Sequence, residues 1–149
     1  MRAIVSVVLF IMLAAPALAQ QATYRKDIRP LWEAKCVACH GRDSPYLVEF
    51  EENAAKYKAM GKGPRMDTYA DLLFFVAWPD TGAIMRRLDD GKNAKDGKPG
   101  NMYVFLGATE GERQKNLALF KAWVGKDSWS PKRPDAVTKE ELARIEAKY

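Results

Sequence analysis

The sequence is short of metal-binding and reactive side chains. It has a single histidine and only two cysteines in 149 residues. One imidazole excludes a zinc site built on two or three histidines within one chain. It equally excludes a Ser-His-Asp site beside a separate histidine-ligated metal. Two cysteines allow at most one disulfide, so this is not a small scaffold stapled by several. Charge of either sign never runs in a single block. The formal net charge of +5 comes from scattered lysines and arginines, which makes no case for nucleic acid. Sustained alternation of apolar and polar residues is missing too, so no sheet is expected. What remains is a length that suggests one domain. The composition, 48% hydrophobic and 29% charged, is that of a soluble globular protein.

The N-terminus is patterned for export. Met1 and Arg2 make a short positive start, and Ala3 to Ala15 form an almost unbroken apolar run. Pro16 breaks the run, and Ala17-Leu18-Ala19 places small residues where a signal peptidase reads them. Residues 1–19 are therefore expected to be a signal peptide, cleaved before Gln20. The run falls short of the about 20 residues a bilayer core requires. An uncleaved anchor is the alternative, and Pro16 with the A-x-A site favours cleavage. No cysteine follows the run directly, so a lipoprotein is not indicated. The mature chain, Gln20 to Tyr149, loses Arg2 and with it one unit of positive charge. Export implies an oxidising compartment, most simply a bacterial periplasm.

The mature chain reads as an all-α protein of short helices separated by turns. A first helix is expected from Asp27, as N-cap, to about Ala38, with Pro30 in its first turn and Gly41 ending the segment. Glu49 to Met60 is a charged, alanine-rich helix, read as a solvated surface insertion and stopped by Gly61 and Gly63-Pro64. Thr68 to Trp78 is the most apolar helix, ended by Pro79. A short helix, Gly82 to Leu88, comes next. Gly91 to Asn101 is a loop on composition alone. Thr109 and Glu112 form a capping box for a helix to Val124, with Gly125 as C′. Leu117, Phe120, Trp123 and Val124 share one face of it. A proline-containing connector, Lys126 to Ala136, leads to a last helix, Lys139 to Lys148, behind a Thr138/Glu141 capping box.

Both cysteines and the only histidine fall in one pentapeptide, Cys36-Val37-Ala38-Cys39-His40. C-x-x-C-H is the attachment motif of a c-type haem. Two cysteines three apart at a helix end present both sulfurs to one edge of a porphyrin, where each forms a thioether with a vinyl group. The next residue then offers its imidazole to the iron. Trp32, Leu72, Phe75, Phe120 and Trp123 are candidates for the apolar shell. Three other readings compete with this one. A thioredoxin-like redox site needs a βαβ context that the helical pattern lacks. A zinc knuckle needs a second ligand pair, and no cysteine or histidine remains to make one. A disulfide between Cys36 and Cys39 closes a very small loop and stabilises little.

The segment DIRPLWEAKCVACHG resembles the haem-binding region of class I-like cytochromes c, in which an amphipathic helix runs into C-x-x-C-H-G. The resemblance continues through Ile84 to Gly91, a loop with a methionine, and a final core helix, so it covers about residues 24 to 125. It implies a small cytochrome c-like helical domain wrapped around one covalent haem c. Cys36 and Cys39 would carry the thioethers and His40 would be the proximal iron ligand. Two departures stand out. Ser44 to Arg65 looks like an insertion, and residues 126–149 extend past the usual last helix.

With no second histidine, methionine is the expected distal ligand. Met102 is favoured because it follows the Lys98-Pro99-Gly100-Asn101 turn and precedes the capped helix. Met66 comes next, with Met85 and Met60 behind. Arg86 and Arg87 are candidates for a haem propionate, although solvated arginine is the plainer reading. Trp32, Tyr69 and Trp78 are candidates for contact with the macrocycle, or else for packing. The expected function is a periplasmic electron carrier, not an enzyme, working between redox protein partners. Lys92, Lys95, Lys98 and Lys115 would steer an acidic partner. The alternatives are a haem subunit of a larger complex, with the insertion and extension as docking surfaces, or an open haem that binds small gaseous ligands.

Overall fold

In the computed structural model, residues 21–149 are described, and the signal peptide expectation lies outside them. Helix α1 begins one turn earlier than Asp27, with a wide π-type turn, Tyr24–Ile28, that continues as Arg29–Lys35. Thr23 is the N-cap: its hydroxyl accepts from the Lys26 N–H, and Asp27 reaches back to accept from the Thr23 N–H at 2.8 Å. Asp27 was expected as the cap itself. It acts instead as the returning arm of the cap, inside the first turn.

After Cys36 the chain continues as α2, Val37–His40. The insertion holds two helices where one was expected, α3 (Leu47–Glu52) and α4 (Ala54–Ala59), interrupted at Asn53. Helix α5 (Tyr69–Val76) is capped by Thr68 and buries Leu72, Phe75 and Val76, an i, i+3, i+4 stripe. It stops two residues short of Trp78. Helix α6 (Ala83–Leu88) buries Ile84, Met85 and Leu88. A 3-10 turn, Tyr103–Leu106, precedes α7 (Glu110–Val124). Thr109 caps α7 as expected, but Glu112 turns to the Ala108 N–H and to Lys35, so the box does not close on Thr109. Among the described residues no strand forms.

The core lies where α1 meets α7. Ile28, Phe120 and Trp123 are wholly buried, and the Trp32 and Phe120 rings meet edge to face with centroids 6.4 Å apart. Burying aromatic rings of this size is worth several kcal/mol of the fold, of order 25 cal/mol per Å² of apolar surface removed from water.

The C-terminal extension packs into the same core. After a 3-10 turn (Pro134–Ala136), α8 spans only Lys139–Ala143, although the expectation ran to Lys148. Its capping box, Thr138 with Glu141, forms as read from the sequence. Beyond it the chain leaves helix because its backbone groups find partners elsewhere. The Lys148 carbonyl accepts from both the Tyr24 N–H (2.7 Å) and the Trp123 indole (2.8 Å), and the Ala147 carbonyl accepts from the Tyr69 hydroxyl (2.8 Å). Tyr149 stacks on Tyr24 and meets Tyr69 edge-on. These contacts outweigh one more turn of exposed helix.

Candidate haem site

Helix α1 delivers the motif. The Cys36 N–H donates to the Trp32 carbonyl at 2.8 Å, and the His40 N–H to the Cys36 carbonyl at 3.0 Å, so the motif follows α1 across one break at Cys36 and ends α2 with the imidazole. The last carbonyls of a helix lack intrahelical partners. Here donors from the insertion supply them. Lys62 Nζ donates to the Ala38 carbonyl at 3.0 Å. The Cys39 carbonyl accepts from the Ser44 hydroxyl (2.9 Å) and the Gly63 N–H (2.8 Å). The His40 carbonyl accepts from the Met66 N–H at 2.9 Å. The insertion is solvated along α3 and α4, but its two ends brace the motif.

The imidazole is oriented in the way an iron ligand needs. His40 Nδ1 lies 2.7 Å from the Pro64 carbonyl, which can only accept, so Nδ1 carries the proton and Nε2 keeps its lone pair. Burial holds the His40 pKa below its usual value, against the opposing pull of the Pro64 carbonyl, so the ring is neutral at pH 7. Gly63 is required by space. A Cβ there would lie 2.2 Å from His40 Cε1 and 2.8 Å from Nδ1. Sequence reasoning took Gly63-Pro64 only as a helix stop and missed this role.

The cysteines are unlike a redox pair. Burial, reinforced by Cys39, pushes the Cys36 thiol up to about 12. A thioredoxin-type nucleophile needs the opposite shift. The surroundings fit a large apolar group instead. Among the described residues one buried side-chain donor has no partner, Trp32 Nε1, and its ring lies 6.1 Å from that of His40. An orphan donor beside the proximal imidazole marks a place prepared for a group the chain does not supply. Val37 on α2, and Val104 and Phe105 directly after Met102, are exposed in the polypeptide alone. These residues fit a covalent haem, with Cys36, Cys39 and His40 holding it.

The four candidate methionines differ. Met85 is 1% exposed, and its sulfur accepts from the Ser130 N–H at 3.1 Å. Met66 is buried on the segment that braces His40. Met60 is exposed at the end of α4. Met102 is half-buried against the core, with its N–H on the Arg87 carbonyl at 3.0 Å.

Several other candidates have structural duties. Arg86 is only partly exposed and is engaged within the chain. It donates to the Thr81 and Lys132 carbonyls and pairs with Asp80 at 2.8 Å. Arg87 is exposed and donates to Asn101 Oδ1. Tyr69 belongs to the C-terminal clasp, and Trp78 is 70% exposed. Leu72, Phe75, Phe120 and Trp123, expected around the macrocycle, all lie in the one buried cluster with Trp32.

The family described as PccH cytochrome c matches residues 23–149. The solved structure of the monohaem cytochrome PccH from Geobacter sulfurreducens is 55% identical in sequence. That match covers 87% of this chain and 99% of the other, with a TM-score of 0.80. No curated protein matches the chain.

Proposed function

The chain belongs to the PccH cytochrome c family, and from that premise, a monohaem c-type cytochrome with one covalently bound haem c, we propose that it is a periplasmic electron carrier with His40 and Met102 as axial ligands. The bound haem supplies a reversible one-electron step. The residues supply the rest. Cys36 and Cys39 tether the group. His40 offers Nε2 while Pro64 holds its Nδ1 proton, which keeps the ring from turning as charge changes at the metal. Trp32 and Phe120 exclude water behind the imidazole. With His40 and Met102 given over to the metal, the chain would leave no position on it for a substrate, and the haem would supply outer-sphere electron transfer alone.

The observation that carries the ligand assignment is the division of duties among the methionines. The Met85 sulfur is engaged by the C-terminal extension, and Met66 lies on the bracing segment of the proximal side. Met60 stands on the exposed insertion. Met102 alone combines partial burial with a loop position outside that segment. A thioether ligand stabilises the reduced state relative to a second imidazole and raises the potential.

The partner side of the proposal rests on charge. Lys95, Lys98 and Lys115 are exposed on and near the loop before Met102, while Lys92 is paired with Asp90 at 3.0 Å and contributes less. An acidic redox partner fits this rim, with an attraction that salt screens.

The test is the spectrum of Met102→Ala matured with haem. The oxidised variant is expected to lose the methionine-to-iron charge-transfer band and, once reduced, to bind carbon monoxide rapidly, while Met66→Ala retains the band. A band retained in Met102→Ala overturns the ligand assignment. Rapid carbon monoxide binding by the reduced wild-type protein overturns the six-coordinate carrier.

A further inference from the structure

The loop that leads to Met102 is gathered at its base by one residue. Asp89, at the end of α6, is 1% exposed. Its Oδ1 accepts from the Gly91 N–H (2.8 Å) and the Asn93 N–H (3.2 Å), and its Oδ2 accepts from Asn93 Nδ2 (2.8 Å). Its backbone carbonyl accepts from the Gly100 N–H at 2.8 Å, where the loop returns. The remaining contact of that carboxylate comes from outside the loop. Trp129 donates its indole N–H to Oδ2 at 2.8 Å.

Trp129 opens a strap, residues 129–132, laid along α6. The Ser130 N–H rests on the Met85 sulfur, and the Lys132 carbonyl accepts from Arg86. Gly82, with φ of 78°, starts α6 where a Cβ would meet the Lys132 and Ser130 carbonyls at 2.8 and 2.9 Å. The fit leaves no room for the strap to shift. Lys121 of α7 sits 5.6 Å above the Trp129 ring and closes the other side.

We propose that this strap is a positioning element for the distal ligand, acting through the Trp129–Asp89 hydrogen bond to hold the Met102 loop closed. This rests on the assignment of Met102 as sixth ligand. Asp89 holds both arms of the loop, the outgoing one through its carboxylate and the returning one through its backbone carbonyl, and one indole ties that carboxylate to the strap. Without that donor the buried carboxylate keeps only its bonds to the outgoing arm, the base of the loop is no longer fixed to the strap, and the fraction of molecules with the loop open rises. A ligand that binds only the open form gains apparent affinity in proportion to that fraction.

Imidazole added to the oxidised haem protein reads the open fraction directly. Trp129→Phe and, independently, Asp89→Asn are expected to bind imidazole about tenfold more tightly than wild type, equivalent to about 1.4 kcal/mol, with unchanged far-UV circular dichroism. Tyr69→Phe removes the hydroxyl contact at the far end of the extension. It is expected to lower the thermal midpoint while leaving imidazole affinity alone. Met102→Ala sets the upper limit. Wild-type affinity in Met102→Ala removes the ligand assignment and the proposal with it. Tight binding in Met102→Ala together with wild-type affinity in Trp129→Phe and Asp89→Asn overturns the strap alone. An equal gain in Tyr69→Phe overturns it as well, because general loosening then explains the effect.

Discussion

Around His40 the carbonyls of Ala38, Cys39 and His40 are all taken by donors from the insertion and from Met66 just after it, and a further contact, from Pro64, fixes the ring. The loop that ends at Met102 leans on one carboxylate, Asp89, and on a strap from the far end of the chain. The proximal side is thus braced several times over, mostly by one segment 24 to 26 residues further along the chain. The distal loop is gathered by local bonds to Asp89, and a single indole 40 residues away ties that residue to the strap. A rigid imidazole and a releasable loop place the fixed geometry where the tether is. On the proposed ligation, the adjustable ligand would then sit where opening costs least, since weakly anchored segments open first.

Three experiments break or sharpen this contrast. The largest effect is expected at Trp32, which packs between His40 and Phe120. Trp32→Ala in the haem protein should lose about 3–5 kcal/mol in urea unfolding, the usual cost of deleting a buried aromatic ring. A loss under 1 kcal/mol would mean that the proximal side is not tied to the α1–α7 core. Gly63→Ala should be milder in stability, about 1–3 kcal/mol from overpacking. Its clearer signature is electrochemical. The added methyl group displaces His40 from Pro64, the imidazole becomes a weaker donor, and the reduction potential measured by voltammetry should rise. An unchanged potential would show that the Pro64 carbonyl does not tune the ring.

The smallest effect concerns acid and the distal side. Burial opposes ionisation of Asp90, yet donors from Gln114 and Lys92 outweigh it and bring its pKa down to about 2. A carboxylate depressed in the folded state stabilises it above its ordinary pKa. That contribution is lost as pH falls through the folded value. Thermal midpoints should therefore decline between about pH 4 and about pH 2, and Asp90→Asn should flatten the decline. An identical acid profile in that variant would place the titrating group elsewhere.

How much was legible in advance follows the same division. The motif was legible because a haem tether needs its two sulfurs and its imidazole at fixed spacing on one helix end, so the information lies within five residues. The caps at Thr109 and Thr138 were legible because capping is local. The errors came from long range. The last helix stops at Ala143 because Tyr24, Tyr69 and Trp123 claim the carbonyls that follow. Arg86 looked like a surface arginine because nothing in its own segment announces the Thr81 and Lys132 carbonyls it holds. The insertion looked idle because its helices are solvated, while its ends reach back across more than twenty residues to brace the motif.

The sequence by itself determined the chemistry of attachment. One histidine and two cysteines, all between Cys36 and His40, leave a single place for one haem and force any second ligand to be something other than imidazole. Local rules also determined that the chain is helical and where most helices begin. Tertiary structure alone decided which nitrogen of His40 faces outward, because the Pro64 carbonyl is brought to it by the fold. It also decided what the C-terminal extension is for. The partners of Trp129, Ser130 and Lys148 lie dozens of residues away, and hydrogen bonds at that separation exist only once the core has formed.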